Sequence, residues 1–374
     1  ITQALADSVT AIDARAVARV QFPPLGLPSV NVPTTNPLSA EKVALGRKLF
    51  FDRRLSHNRT MSCAMCHIPE QGFTINEAAT PVGVKGRSLS RNSPTTYNVA
   101  YAATMFHDSR ETTLENQVLG PLFADDEMAL PSVGFLLDTI NGAADYDGLF
   151  EQVFGAPANV INIGEALASY QRTVVSANSP FDRWYFGKEK NALSAEAVNG
   201  FELFTGQAGC SSCHLINEKY ALFTDHQVHN TGVGAQHVSQ KRKSMTPVAV
   251  ELVPGVTVPI KLRAGKSKSK LSPQDLGRMA ITDRVEDLFA FKTPILRNVE
   301  LTAPYMHDGS LQTLEDVVRF YNTGGVTNEA LDPRIRPLSL SDQEITALVE
   351  FLRSLTGDNV QELIEEARTT PIGN

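Results

Sequence analysis

Every cysteine in this 374-residue chain falls in a Cys-x-x-Cys-His motif: Cys63-Ala-Met-Cys66-His67 and Cys210-Ser-Ser-Cys213-His214. Two thiols at that spacing can add to the two vinyl groups of one haem, while the adjacent imidazole reaches the iron from one side. A disulfide framework would not repeat a histidine after each pair, and four cysteines are too sparse for one. A zinc site would call for further clustered ligands near each motif, and a thioredoxin-like pair for a flanking βαβ pattern; neither is present. The motifs therefore predict two covalent c-type haems, attached through Cys63, Cys66, Cys210 and Cys213 and held by His67 and His214. Covalent haem attachment takes place outside the bacterial cytoplasm, so the expected location is the periplasm. The start at Ile1, without an initiator Met or a charged-then-apolar leader, agrees with a mature exported chain or a trimmed one.

At about 150 residues per domain, this length predicts two or three packed units. The balance of 34 basic and 41 acidic residues gives a net charge of −7, which leaves no global positive field for a nucleic-acid partner. No segment approaches the roughly 20 uninterrupted apolar residues of a membrane span. The most apolar stretch, Val248 to Leu262, is broken by Glu251, Pro254 and Pro259 and reads as a short hairpin at most.

An internal echo precedes each haem motif. Leu38-Ser39-Ala40-Glu41 leads through Val43 to Gly46-Arg47-Lys48-Leu49-Phe50, and Leu193-Ser194-Ala195-Glu196 leads through Val198 to Gly200-Phe201-Glu202-Leu203-Phe204. Serine is a natural N-cap, glutamate suits the first turn, and the apolar residues recur at helical spacing. Further helices are predicted at Ile161 to Val174 and at Ser341 to Leu355, the latter with a Ser341-x-x-Glu344 capping box. The expected fold is mainly α: two cytochrome c-like haem domains with long loops. The expected division is an N-terminal extension at 1–37, a first haem domain at 38–180 and a second at 181–374. Between Lys241 and Lys270 lie eight basic residues and one acid, Glu251, which reads either as a surface for an acidic partner or as a solvated loop.

Other motifs carry a resemblance to a family: Leu49-Phe50-Phe51-Asp52-Arg53-Arg54-Leu55-Ser56, Arg91-Asn92-Ser93-Pro94-Thr95, Phe106-His107-Asp108-Ser109-Arg110, His229-Asn230-Thr231-Gly232-Val233 and the run from Leu296 to Gly309 containing Tyr305-Met306-His307-Asp308-Gly309. From about Leu38 to Leu355 the chain resembles the bacterial diheme cytochrome c peroxidase and MauG family. The resemblance implies two cytochrome c-like domains, a calcium ion between them, reaction of hydrogen peroxide at the first haem and electron traffic through the second.

Three departures from the peroxidase pattern select a branch. Peroxidases of the family that need reductive activation carry a second histidine after the first haem motif, and Ile68 to Arg91 contains none, so the first haem should be open to peroxide in its ferric form. The far-side ligand of the second haem, a methionine fourteen residues after the family's histidine, here corresponds to Tyr321, counted from His307. Tyrosine there resembles the MauG-like branch; an anionic oxygen donor favours higher oxidation states of iron, whereas a thioether favours the ferrous one. The other candidates are Met245, Met279 and Met306, or a Tyr321 that is only structural. The third departure is His107, where the family places a tryptophan thought to relay charge; the imidazole reads as a relay or as a histidine satisfied by its surroundings. Trp184, the sole tryptophan, reads as a packing residue, and the MauG exit tryptophan falls near Ala208.

On the open face of the first haem, the family's Gln, Pro and Glu match Gln117, Pro121 and Glu127, with Asp125 and Asp126 as neighbouring alternatives for the acid. A carboxylate there can move a proton from the near peroxide oxygen to the leaving one. The matching calcium ligands are Asn92, by its side-chain oxygen, and Thr302 and Pro304, by backbone carbonyls. The expected function is thus a periplasmic enzyme that reacts with hydrogen peroxide to form a high-valent, bis-Fe(IV)-type state and oxidises a residue, a tryptophan by analogy, on a protein partner. The alternatives are a peroxidase drawing electrons from a small cytochrome c or cupredoxin, and a non-catalytic electron-transfer or redox-sensing cytochrome.

Overall fold

A computed structural model describes residues 2–236, 248–253, 256–260 and 275–370. Most of the basic segment at 241–270 and the candidate ligand Met245 lie outside these residues. Helices and single 3-10 turns joined by long loops make up most of the described residues. Among the described residues the only ladders are Val228–His229 with Phe291–Lys292, and an antiparallel hairpin of Val248–Val253 with Val256–Ile260, as expected of that valine-rich stretch.

Each haem motif follows one helix of a crossed pair. Helix Ala40–Phe51 is capped by Ser39, whose side chain accepts from the Lys42 amide, and helix Ala195–Thr205 by Ser194, which accepts from the Ala197 amide. The first crosses helix Val160–Arg172 and the second crosses helix Asp342–Arg353. Glycine makes each crossing close: a Cβ on Gly46 would fall 1.8 Å from the Ala166 carbonyl oxygen, and one on Gly200 would fall 1.9 Å from that of Ala347. Ser341 and Glu344 form the reciprocal cap their spacing predicts.

A second echo runs through the loops at an offset of 200 residues. Asn98 and Asn298 both take left-handed backbone angles and lead into 3-10 turns at Val99–Tyr101 and Val299–Leu301. Bridges Met105–Glu111 and Tyr305–Leu311 follow, and then helices Leu114–Gln117 and Leu314–Asn322, capped by Thr113 and Thr313. Each half has its own apolar cluster, one around Leu49, Phe50 and Leu167, the other around Phe181, Phe204 and Phe351.

The first and last described helices both pack on the first half. The region at 1–37, expected as an extension, contains helix Thr2–Gln21, which lies on helix Ala40–Phe51 and buries Ala16 in the first cluster. Asp13 meets Arg47 at 2.9 Å with both side chains buried. Helix Val360–Arg368 returns to the same cluster through Leu363 and Ala367, and Arg47 Nη1 donates to the Glu366 carbonyl at 2.8 Å. Residues 360–368 therefore depart from a division that assigns everything after residue 180 to the second unit.

Candidate functional site

The two haem-attachment turns have the same construction. Cys63–Met65 and Cys210–Ser212 are single 3-10 turns, and the histidine after each donates its main-chain N–H to the first cysteine's carbonyl. The His67 ring uses Nδ1 on the Phe73 carbonyl at 3.2 Å, and the His214 ring uses Nδ1 on the Phe223 carbonyl at 2.7 Å. Both phenylalanines sit in the left-handed region, with φ of 51° and 56°, which turns those carbonyls inward. A carbonyl on Nδ1 fixes the tautomer and leaves Nε2 for a metal. Burial pushes the thiols of Cys63, Cys66 and Cys210 up to about 12. Side chains kept uncharged in this way fit thioether links to haem, and the paired turns and histidines fit two such groups.

Glu127 shares the first pocket. Its charge acts on both Cys63 and Cys66, and burial, reinforced by Asp126 and opposed by Arg110, raises its own carboxyl to about 7. The backbone pins it: its N–H donates to the Ala124 carbonyl, and its carbonyl accepts from the Val84 amide at 2.9 Å. Asp125 and Asp126 are exposed, and Asp125 pairs with Lys85 and Arg87. Gln117 ends helix Leu114–Gln117, and Pro121 lies in helix Leu119–Phe123, with its carbonyl accepting from the Met128 amide at 3.1 Å. The Phe106 ring packs on Gly120 between these two residues, and the Arg110 guanidinium stacks on it 3.4 Å from the ring centre.

Tyr321 lies in helix Leu314–Asn322 and faces the second attachment turn. Burial, together with the Cys210 and Cys213 thiols, pushes its phenol above the ordinary tyrosine value.

The segments carrying the remaining candidates meet where the halves join. The Asn92 amide donates to the His307 carbonyl at 2.7 Å, and the Asn92 carbonyl meets His107 Nε2 at 3.0 Å. Asn92 Nδ2 donates to Ala79, which leaves Oδ1 as the side chain's remaining acceptor. The hydroxyl of Thr302 donates to Val299, and Pro304 follows two residues later. Burial, with His307 adding to it, holds His107 neutral with a pKa near 3, and His307 stacks on Phe291 at 3.6 Å. His107 thus belongs to the junction.

Two charged networks lay outside the sequence expectations. Arg91 bonds Asp275 twice, at 2.7 and 2.8 Å, and Asp108 at 2.6 Å, tying the halves together. His229 lies between Asp225 and Asp332, at 2.8 Å from each, with Arg334 on the same carboxylates. The Cys213 sulfur, Asp225 and His229 come within 4.8 Å of one another, but Cys213 is spoken for by the attachment motif. Arg91 and His229 stand in motifs recognisable in the sequence, whereas their partners lie up to 184 residues away.

Comparisons with known proteins agree with this geometry. The di-haem cytochrome c peroxidase family pattern matches residues 40–190. The methylamine utilization protein MauG of Methylorubrum extorquens is 36% identical over 88% of this chain and 82% of its own length. The cytochrome-c peroxidase IdrP1 of Denitromonas iodatirespirans is 37% identical over 91% of this chain and 88% of its own. The crystal structure of a MauG-like protein associated with microbial copper homeostasis superposes with a TM-score of 0.73 at 29% identity, covering 91% of this chain and 96% of that one.

Proposed function

The chain belongs to the di-haem cytochrome c peroxidase family, and on that footing we propose that it is a periplasmic MauG-like enzyme, which uses hydrogen peroxide to oxidise a residue, a tryptophan by class, on a partner protein. The observation that carries this reading is Tyr321, partly buried beside the Cys210 and Cys213 turn where a peroxidase would present methionine. A phenolate oxygen there stabilises oxidised iron and makes the second site a poor store for an electron.

The two haems, when bound through Cys63, Cys66, Cys210 and Cys213, supply the redox chemistry of peroxide reduction. His67 and His214 offer Nε2 to the irons, each oriented by its phenylalanine carbonyl. Glu127, near neutrality at about 7, takes a proton from peroxide and returns it to the leaving oxygen. Gln117 and Pro121 stand on the two short helices that precede Glu127. Oxygen atoms of Asn92, Thr302 and Pro304 suit a calcium ion at the junction, a hard cation that takes carbonyl donors and waters. His107 lies in that junction, its Nε2 on the Asn92 carbonyl at 3.0 Å.

The test is stoichiometric hydrogen peroxide added to the fully oxidised, haem-loaded protein without reductant. A reaction that needs no prior electron and leaves a long-lived near-infrared band, lost in Tyr321→Phe, supports the reading. A requirement for one electron before peroxide reacts would return the protein to the peroxidases, the reading favoured by the 37% identity to a protein of that name.

A further inference from the structure

Oxidation of a partner protein needs a path from the second haem site to the surface, and the inference here rests on that reading. The position near Ala208 offers none: Ala208 is small, aliphatic and buried. Instead, a run of touching aromatic rings leads away from His214. Phe223, whose carbonyl holds the His214 ring, lies 5.3 Å from Phe181, and Phe204 lies 6.4 Å from His214 and 4.9 Å from Phe351. Phe181 and Phe351 both meet Phe201, at 5.7 and 5.6 Å. Phe201 then meets Trp184 edge to face at 5.3 Å and Tyr185 at 5.5 Å. Phe181, Phe204, Phe223 and Phe351 are buried, whereas Phe201, Trp184 and Tyr185 are partly exposed, the last two next to the exposed residues 187–191.

We propose that Trp184 is the redox-active exit of this enzyme, the side chain through which electrons from a partner's oxidisable residue enter toward His214. It is the only indole in the chain, and indole gives up an electron more readily than benzene rings such as those of the phenylalanines around it. Charge selects it over Tyr185: the Lys188 ammonium lies 5.3 Å from the Tyr185 ring centre and opposes positive charge there, while Trp184 turns its ring to Phe201 and Phe181. The balance closes with peroxide as the oxidant. One hydrogen peroxide takes up two electrons and two protons and leaves as two waters. Each electron is drawn from the Trp184 indole, which is oxidised by one electron and releases its N–H proton to solvent. A side chain of the partner then supplies an electron, and a proton returns to the indole nitrogen; over two such turns the partner gives up two electrons and two protons, matching those that peroxide takes up. This assignment revises the reading of Trp184 as packing alone.

Without a partner, an oxidised Trp184 has no donor and should be modified itself. The haem-loaded protein is treated with excess hydrogen peroxide, quenched and mapped by peptide mass spectrometry, with a parallel freeze-quenched sample for electron paramagnetic resonance. Oxygen-atom addition at Trp184 and an organic radical that disappears in Trp184→Phe but survives in Tyr185→Phe are the expected results. Trp184→Tyr, which keeps an oxidisable ring of similar packing, should restore a radical and so separates loss of redox function from loss of packing. Haem absorbance of each variant reports whether the second site is intact. Peroxide consumed with Trp184 unmodified, and oxidation falling on the exposed Met65 of the first haem turn, would overturn this proposal and leave the peroxide-driven reading standing. An oxidised protein inert to peroxide would overturn both.

Discussion

Arg297 and Asp182 face each other with no solvent access to either side chain, Nη1 to Oδ2 at 2.7 Å and Nη2 to Oδ1 at 2.9 Å. The guanidinium also donates to the carbonyls of Ala221, at 2.6 Å, and Gly26, at 2.5 Å, so one side chain joins three distant segments of the chain. The fit leaves no slack, because a Cβ on Gly26, at φ +91°, would fall 1.9 Å from Asp182 Oδ1. Removing one partner strands a buried charge, so Asp182→Ala should cost about 3–5 kcal/mol in denaturant unfolding of the haem-loaded protein. A loss well below that range would mean that water reaches the arginine once the carboxylate is gone.

The two glycine crossings make a second prediction. Gly200→Ala should destabilise by about 1–3 kcal/mol or more, since the methyl group meets a backbone carbonyl that cannot move without separating the helices. Gly134, near the start of helix Val133–Asn141, is the control, because its Cβ would meet only the Ser132 hydroxyl oxygen at 3.7 Å. Gly134→Ala should be stabilising by about 0.5–1 kcal/mol through helix propensity. Thermal unfolding followed by far-UV dichroism should move the two variants in opposite directions.

These contrasts show where the sequence could be read. The haem turns, the helices that precede them and the Ser341–Glu344 cap depend on residues within a few positions of one another, so spacing alone exposes them. The burial of Arg47 was not visible, because its partners are Asp13 and the Glu366 carbonyl, 34 and 319 residues away. The same holds for His229, whose two aspartates come from opposite sides in sequence. The loop echo was visible in principle: Phe106-His107-Asp108 and Met306-His307-Asp308 stand at a fixed offset, as do Thr113-Leu114-Glu115 and Thr313-Leu314-Glu315. That offset pairs Pro121 with Tyr321, so the two residues stand at equivalent places in the repeat.

Tyr321 therefore yields a prediction on ligand access. Pro121, its counterpart, has no donor to offer, so the first site should bind small anions while the second does not. Tyr321→Phe removes the only oxygen that side chain can present, and the second site should then bind added imidazole or cyanide, seen as a second spectral transition in titration. Tyr321→Met should instead keep the second site closed and make it easier to reduce, as a thioether favours ferrous iron. If the tyrosine variant with phenylalanine binds no added ligand, one of Met245, Met279 and Met306 becomes the candidate for that position.

On the proposed role of Glu127, its carboxyl should set the pH dependence of the peroxide reaction. Burial is the leading cause of its raised value of about 7, Asp126 adds to it, and Arg110, stacked on Phe106, works the other way. The form that accepts the peroxide proton is the carboxylate, so the rate of peroxide consumption should rise with pH and level off above about 7. Glu127→Gln should lower that rate by about 10²–10⁴-fold and abolish the rising limb. Arg110→Ala removes the positive neighbour and leaves burial and Asp126 unopposed, so the midpoint should move to higher pH. Asp126→Asn removes a negative neighbour and should move it to lower pH. Stopped-flow peroxide kinetics across pH 5 to 9 on the four proteins would separate these cases; a limb that persists in Glu127→Gln assigns the titration to another group.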